Sequence, residues 1–284
     1  MPAITGRARV AGVVGWPIAH SLSPRLHGLW LRHYRIDGAY VPLAVRPEHL
    51  GDVLSALPKV GFRGVNVTFP HKERALELVD AATPAARRIG AVNTIVVDAG
   101  GSLIGSNTDA FGFLENVREA IPAWRAGRRP AVVLGAGGAA RAIVFALVEE
   151  GMPEIRLVNR TAGRADALAA DLGGPVRPLP WTDRAASLAG ASLLVNATTL
   201  GMRHQPPLDI DLTGLPGDAV VCDIVYSPLE TPLLASAKAR GNPVVDGLGM
   251  LLHQARPGFA AWFGLLPEVL PGLRERLLTD IAPA

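Results

Sequence analysis

The chain of 284 residues is 49% hydrophobic and 19% charged, with a formal net charge of +3, which is typical of a globular protein of about two domains. No run approaches the ~18 consecutive apolar residues of a membrane-spanning helix, and no cluster of Lys and Arg with interleaved aromatic residues indicates nucleic-acid binding. The mildly basic balance favours a small anionic substrate or cofactor, and the single cysteine excludes an internal disulfide and favours a cytoplasmic location.

The first part of the chain alternates between strand and helix patterns. Strands are predicted at 10–14, 39–45, 62–67 and 91–97, with a return strand at 103–105 after the turn Gly100-Gly101. Helices are predicted at 24–34 with Ser23 as N-cap, and at 47–57, 68–79 and 84–89. This alternation predicts an α/β fold with a mostly parallel sheet that is covered on both faces.

The second part repeats the alternation. It contains predicted helices at 110–121, 140–148, 162–172 and 229–240 and strands at 131–135, 155–158, near 176, and at 192–195, 219–225 and 244–245, before a helical end from 249. We therefore predict a doubly wound, Rossmann-like nucleotide domain at 110–240, inserted into a substrate-binding domain made of 1–109 and 241–284 with returning C-terminal helices. A cleft between the two is expected to hold both ligands.

Residues 131–164 carry the most specific motif. An apolar strand, a turn with the spacing Gly135-x-Gly137-x-x-Ala140, a helix and a second strand form one βαβ unit of about 30 residues. Gly135 can make the tight turn, Gly137 can let the backbone approach a pyrophosphate, and Ala140 can let the helix pack closely on the strand. The helix N-terminus then offers free N–H groups to phosphates.

The end of the second strand distinguishes the cofactors. An NAD site usually has a carboxylate here for the ribose 2′-hydroxyl, whereas this chain has Asn159, Arg160, Thr161 and Arg164. Guanidinium groups suit a 2′-phosphate, so the sequence favours NADP over NAD. The alternative is an ordinary solvated loop.

Polar residues follow the predicted strands of the first domain. Ser21 and Ser23 follow the first strand, Thr68 and Lys72 the third, and Asn93 and Asp109 lie further along. A hydride transfer needs a group that moves the hydroxyl proton, and Lys72 with Asp109 is the pair that we choose. Taken singly, each of these residues is more often a cap or a surface group. His20, His27 and His71 match no usual zinc spacing, so no metal is expected.

The chain closely resembles the shikimate dehydrogenase family. The resemblance is carried, in the family's order across about residues 10–262, by GWPIAHSLSP, GVNVTFPHK, GAVNTI, SNTDAFGF, GAGGAAR, NRTAGR, NATTLGM, DIVYSPLETPLL and DGLGMLLHQA. It implies reversible reduction of 3-dehydroshikimate to shikimate with NADPH, in chorismate and aromatic amino-acid biosynthesis. The alternatives are a quinate or aminoshikimate dehydrogenase of the same family, or a non-catalytic NADP-binding protein.

The resemblance also implies roles for individual residues. Lys72 and Asp109 are the catalytic pair. The substrate-binding residues are Ser21, Ser23, Thr68, Asn93, Tyr226 and Gln254. The cofactor-binding residues are Gly135, Ala136, Gly137, Gly138, Ala139, Asn159, Arg160, Thr161, Arg164, Thr198, Gly247 and Met250. The expected partners are small molecules only, with no nucleic acid and no membrane, and the protein is expected to be a monomer or a homodimer.

Overall fold

The structure is a computed structural model that describes residues 4–279. The chain forms two compact units, the first made of residues up to Thr108 and from Leu252 onward, and the second of Asp109–Leu251. The second unit extends beyond the nucleotide domain that the sequence predicted, which ended at residue 240. The reason is the strand Val244–Val245, which pairs with the sheet of the second unit and keeps residues 241–251 there.

The first unit is built on a six-stranded sheet among the described residues, with the strand order β2-β1-β3-β5-β6-β4. Its strands are β1 (Arg9–Gly15), β2 (Gly38–Ala44), β3 (Phe62–Val67), β4 (Ala81–Ala82), β5 (Thr94–Val97) and β6 (Leu103–Ser106), and its first helices are α1 (Ser23–His33), α2 (Leu50–Ala56), α3 (Lys72–Leu78) and α4 (Pro84–Ile89). β1 runs parallel to β2 and β3. The hairpin of β5 and β6 adds antiparallel pairs, so the sheet is parallel-rich and mixed.

The second unit has a sheet with the order β12-β11-β10-β7-β8-β9, and its strand pairs are parallel. Its elements are α5 (Asp109–Ala120), β7 (Ala131–Leu134), α6 (Gly138–Glu149), β8 (Ile155–Asn159), α7 (Ala162–Leu172), β9 (Val176–Pro180), β10 (Leu193–Asn196), β11 (Val220–Asp223), α8 (Pro232–Ala239) and β12 (Val244–Val245). This is the doubly wound order, which reverses between β7 and β10. Ligands of such sheets bind at the carboxyl ends of the strands on either side of this reversal.

Two helices complete the part of the chain that the structure describes, α9 (Gly247–Phe263) and α10 (Leu273–Leu278). The boundary between the units falls inside α9. Among residues 4–279, no helix is both long enough and apolar enough to cross a membrane.

Local structure differs from the sequence-based prediction at several functional positions. Asn93 precedes β5, which begins at Thr94 and not at residue 91, and α5 and α9 begin earlier than predicted, at Asp109 and Gly247. α3 begins at Lys72 and not at Thr68, because residues 68–71 form a turn closed by the His71 N–H, which donates to the Thr68 carbonyl at 2.9 Å. Ser23 is also not the N-cap of α1, since that place belongs to Leu22. The Ser23 hydroxyl therefore does not serve as a helix cap.

Candidate active site

The two serines predicted to bind the substrate lie together in the loop and first helical turn after β1. The Ser21 N–H donates to the Ile18 carbonyl at 3.0 Å, and the Ser23 N–H donates to Ser21 Oγ at 3.3 Å. Ser23 is buried and Ser21 is half-buried. Burial raises the pKa of the neighbouring Tyr40 well above its usual value, and a hydrogen bond between its side chain and Ser23 opposes that shift.

Thr68 and Lys72 follow β3, beside the end of β1. The Thr68 N–H donates to the Val14 carbonyl at 2.9 Å. A Cβ added at Gly15 would lie 2.5 Å from Thr68 Cγ2, so only glycine lets Thr68 approach β1 so closely. The Lys72 carbonyl accepts from the Val92 N–H at 2.9 Å. The backbone of the candidate catalytic lysine is thus tied to the residue that precedes Asn93.

Asn93 and Gln254 belong to one buried hydrogen-bond network in the first unit. Asn93 Nδ2 donates to Gln254 Oε1 at 3.3 Å and to Thr108 Oγ1 at 3.0 Å. The Asn93 Oδ1 atom accepts from the Thr108 N–H at 2.8 Å, and the Thr108 hydroxyl donates to the Gln254 carbonyl at 2.8 Å. Each of these residues is less than a tenth exposed. Such a satisfied network fixes the orientation of both amides.

Polar side chains of β2 and β3 extend this hydrogen-bond network. The Tyr40 hydroxyl donates to Asn66 Oδ1 at 2.6 Å, and Asn66 Nδ2 donates to the Asn93 carbonyl and to Thr94 Oγ1, both at 3.1 Å. The chain of bonds leads from Tyr40 in β2 to Asn93, and through it to Thr108. Because Asp109 follows Thr108 directly, the hydrogen bonds of Thr108 also restrain the backbone where Asp109 begins.

The candidate catalytic residues open two different helices. Lys72 is the first residue of α3 in the first unit, and it is half-buried. Asp109 is the first residue of α5 in the second unit, and it is 4% exposed. The meeting of their side chains at one substrate stays a prediction.

In the second unit, the glycine-rich turn connects β7 to α6 at the reversal of strand order. Gly135 has φ +106°, and a Cβ added there would lie 3.0 Å from the Ala197 carbonyl oxygen. Gly137 is the N-cap of α6, and a Cβ added there would meet nothing within 4 Å. Ala140 is fully buried. Gly135 is needed for the turn itself, whereas Gly137 leaves open space in front of the helix N-terminus, which suits a pyrophosphate.

The residues predicted to bind the 2′-phosphate, 159–164, form a basic arm at the exposed junction of β8 and α7. Asn159 is half-buried and its Nδ2 atom donates to the Thr161 carbonyl at 2.8 Å. Arg160, Thr161 and Arg164 are exposed, and Thr161 is the N-cap of α7. Residues 159–164 include no carboxylate. The arm has the donors that a 2′-phosphate requires.

The remaining predicted residues of the second unit follow β10, β11 and β12. Thr198 is half-buried in the loop after β10, and its N–H and hydroxyl both donate to Asn196 Oδ1, at 3.1 and 2.7 Å. Gly247 opens α9 and its N–H donates to the Val225 carbonyl at 3.3 Å. Met250 is buried in the same helix and Tyr226 is half-buried after β11.

Several buried polar residues beside these positions were not predicted from the sequence. They are Asn66, Thr108, Asn196 and Asp223. Asn66, Asn196 and Asp223 lie in apolar strands and Thr108 lies two residues after one, and a buried polar side chain must find a partner or incur a cost in stability. That signal was available in the sequence, but the partners were not. Within residues 4–279, no group of three or more His, Cys, Asp or Glu side chains could hold a metal ion.

The fold and the candidate site together indicate a class of protein. A doubly wound unit with a glycine-rich turn and an acid-free basic arm, joined to a mixed α/β unit with a buried polar network, is typical of a two-domain dehydrogenase that uses a dinucleotide. Two sequence models match the chain, "Shikimate dehydrogenase substrate binding domain" at residues 13–95 and "Shikimate / quinate 5-dehydrogenase" at residues 120–202. The chain belongs to the shikimate dehydrogenase family.

Individual relatives agree with this assignment. The chain is 62% identical to the shikimate dehydrogenase (NADP(+)) of Paramagnetospirillum magneticum, over 97% of this chain and 100% of that protein. A crystal structure of shikimate 5-dehydrogenase from Thermus thermophilus in complex with NADP(H) and shikimate is 41% identical, with a TM-score of 0.83 over 95% of this chain and 98% of the other. The quinate dehydrogenase from Corynebacterium glutamicum in complex with NAD is 33% identical, with a TM-score of 0.87 over 96% of this chain and 99% of the other.

Proposed function

We propose that this protein catalyses the reversible reduction of 3-dehydroshikimate to shikimate with NADPH, as a step in chorismate and aromatic amino-acid biosynthesis. The observation that carries the proposal is the bond between the Lys72 carbonyl and the Val92 N–H. This bond ties the backbone of Lys72 to the residue before Asn93, which supports a role for both residues at one site. The relatives named above, among them an enzyme solved with NADP(H) and shikimate, support the same choice.

The substrate is assigned to the first unit. Ser21 and Ser23 would donate their hydroxyls to the carboxylate, which needs no positive charge for recognition if several donors converge on it. Thr68 and the two amides of Asn93 and Gln254 would bind the ring hydroxyls, with Tyr226 at the edge of the site. Because the amides are held by the buried network, the substrate does not have to order them on binding.

We assign the proton transfer to Lys72 and Asp109. NADPH, when bound, supplies the hydride to the carbonyl carbon. The Lys72 ammonium would donate a proton to the carbonyl oxygen as negative charge develops there, and in the reverse direction the amine would accept the proton of the hydroxyl. The Asp109 carboxylate would orient the ammonium and the same hydroxyl.

The second unit fits NADP better than NAD. The backbone from Gly135 to Ala139 would surround the pyrophosphate, and the open space at Gly137 leaves room for it. Asn159, Arg160, Thr161 and Arg164 would hold the 2′-phosphate, while Thr198, Gly247 and Met250 would border the nicotinamide half. A carboxylate in the arm would repel this phosphate, and the arm has none.

The alternative within the family is a quinate or aminoshikimate dehydrogenase, since a quinate dehydrogenase solved with NAD is similar over almost the whole chain. The test is reduction of NADP or NAD at 340 nm with shikimate or quinate as the substrate. We expect kcat/KM to be highest for shikimate with NADP. A preference for quinate or for NAD selects the alternative, and turnover in none of the four mixtures leaves a non-catalytic NADP-binding protein.

We further propose that the protein works in the cytoplasm as a monomer or a homodimer, with small molecules as its only ligands. Its single cysteine, Cys222, is buried, and burial raises the pKa of its thiol. A neutral, enclosed thiol suits a structural role. Size-exclusion chromatography with light scattering distinguishes the two oligomeric states.

A further inference from the structure

Asp223 is a buried carboxylate that the proposed reaction does not use. It is the last residue of β11 and is 1% exposed. Burial raises its pKa to about 6, against the opposing effect of its hydrogen bonds to Thr231, Val225 and Asn196. A buried carboxylate usually stabilises a fold less than an apolar group of the same volume. Stability alone does not explain a carboxylate at this position, so we consider which segments its three hydrogen-bond partners belong to.

The first partner leads to the loop after β10. Asn196 Nδ2 donates to Asp223 Oδ1 at 3.0 Å and also to the Leu200 carbonyl at 3.1 Å. With its amide nitrogen held in this way, Asn196 turns its Oδ1 atom toward the N–H and the hydroxyl of Thr198. Asp223 therefore sets the conformation of the loop that carries Thr198.

That loop in turn supports the glycine-rich turn. A Cβ added at Gly135 would lie 3.1 Å from Thr198 Cγ2 as well as 3.0 Å from the Ala197 carbonyl oxygen. The Ala197 N–H donates to the Leu134 carbonyl at 2.9 Å. The two loops at the reversal of strand order thus lie directly against each other, so a shift of the first displaces the second.

The second partner leads to the start of α9. The Val225 N–H donates to Asp223 Oδ1 at 3.0 Å, and the Val225 carbonyl accepts from the Gly247 N–H. A Cβ added at Gly247 would lie 2.2 Å from the Ile224 carbonyl oxygen. The 223–225 turn and Gly247 are therefore packed backbone against backbone, and Asp223 fixes that turn.

The third partner is the helix cap of α8. The Thr231 hydroxyl donates to Asp223 Oδ2 at 2.7 Å and accepts from the Leu234 N–H at 3.3 Å. Thr231 is fully buried. Both oxygens of one carboxylate are thereby used, and together they connect the loop after β10, the turn after β11 and the N-terminus of α8.

We propose that Asp223 is a positioning residue for the nicotinamide half of the dinucleotide, which it serves by holding Thr198 and Gly247 in place without touching the cofactor. This inference rests on the proposed NADP-dependent function. It predicts that loss of the carboxylate weakens binding of the whole dinucleotide but not of its 2′-phosphate end, since the basic arm at 159–164 makes none of these bonds.

The test compares two probes, NADPH and adenosine 2′-monophosphate, on Asp223→Ala, Asp223→Asn and the wild type. For Asp223→Ala we expect the Kd of NADPH to rise at least ~10-fold, the usual scale for losing hydrogen bonds to a charged group, with the Kd of adenosine 2′-monophosphate unchanged. Asn can still accept from Asn196 and Val225 through its carbonyl oxygen, so Asp223→Asn should restore most of the affinity. Asp211→Ala is the control, because Asp211 accepts from Thr213 in the same unit but is exposed.

Two outcomes overturn the inference while the proposed function stands. One is NADPH binding of Asp223→Ala within about 2-fold of the wild type. The other is an equal loss of both probes, which would make Asp223 a stabiliser of the whole unit. Should Asp223→Ala not fold, Asn196→Ala breaks the same link to Thr198 and is judged by the same comparison. A wild type that binds neither probe contradicts the proposed function itself, and this inference with it.

Discussion

Asn93 and Gln254 lie 161 positions apart in the sequence, yet Asn93 Nδ2 donates to Gln254 Oε1 at 3.3 Å inside the first unit. The link between a residue beside β5 and a residue of α9 makes the candidate substrate site depend on two segments that are far apart in the sequence. Thr108 completes it by bonding to both partners. The contribution of this network to activity can be tested without changing a residue that is assigned to the substrate.

Thr108→Val removes the hydroxyl that connects the Asn93 side-chain amide to the Gln254 backbone carbonyl, and it keeps the shape of the side chain. Buried groups that lose a partner cost about 1–3 kcal/mol. We expect kcat/KM for shikimate to fall by roughly 5- to 100-fold, with the Kd of NADPH unchanged. Thr213→Val, a matched change at an exposed position of the second unit, should have no effect, and a Thr108→Val enzyme of normal kcat/KM would show that the network does not order the site.

Lys72→Met keeps the length of the side chain and removes its charge and its protons. Since loss of an acid/base group usually lowers the rate by 10²–10⁴, we expect kcat to fall at least ~100-fold. Lys59→Met is the control, because Lys59 is an exposed lysine of the same unit. Steady-state rates with saturating shikimate and NADP decide the matter, and a Lys72→Met rate near that of the wild type removes Lys72 from the chemistry.

Arg160→Gln tests the basic arm. A charge-assisted hydrogen bond contributes about 1.5–3 kcal/mol, so the KM of NADPH should rise roughly 10- to 100-fold while the KM of NADH stays the same. Arg177→Gln changes another exposed arginine of the second unit and should alter neither value. An equal loss for both cofactors would contradict a contact between Arg160 and the 2′-phosphate.

Gly135→Ala and Gly137→Ala separate folding from binding within one turn. Gly135 has a positive φ and no room for a Cβ beside Ala197, so the alanine should lower the free energy of unfolding by about 1–3 kcal/mol. Gly137 has an extended backbone and open space around it, so its alanine should leave the Tm unchanged and raise the KM of NADP. Thermal unfolding and cofactor kinetics are the measurements, and the reverse pattern would show that the roles are exchanged.

His27 makes the first unit sensitive to acid. It is fully buried and stacks on Tyr40 with ring planes 7° apart, and within residues 4–279 neither of its ring nitrogens has a hydrogen-bond partner. Burial lowers its pKa from 6.5 to about 3, so the unfolded chain takes up the proton first. The stability that depends on neutral His27 is complete above pH 6.5 and is lost as the pH falls toward 3.

His27→Phe keeps a flat ring beside Tyr40 and removes the titration. We expect its acid-unfolding midpoint to move to lower pH and its free energy of unfolding to vary less between neutral pH and about pH 4. His33→Gln removes an exposed imidazole of the same helix and serves as the control. Acid denaturation followed by circular dichroism gives both midpoints, and equal midpoints for His27→Phe and the wild type would contradict the account.

The sequence by itself determined the features whose cause is local. The βαβ unit around Gly135 and Gly137, the basic arm at 159–164 and each short motif of the family resemblance follow from residues close together in the chain, because periodicity, glycine spacing and charge are local properties. The α/β class and the family are confirmed by the sheets and by the relatives. The roles of individual site residues stay predictions.

Only the tertiary structure decided which distant polar groups share a network. Asn66, Thr108 and Asp223 were visible in the sequence as polar residues in or close after apolar strands, but their partners lie in other segments of the chain. The same holds for the boundary at Leu251, which depends on the pairing of Val244–Val245 with β11. Strand order and burial arise from packing across the whole unit, so no single stretch of the chain contains them.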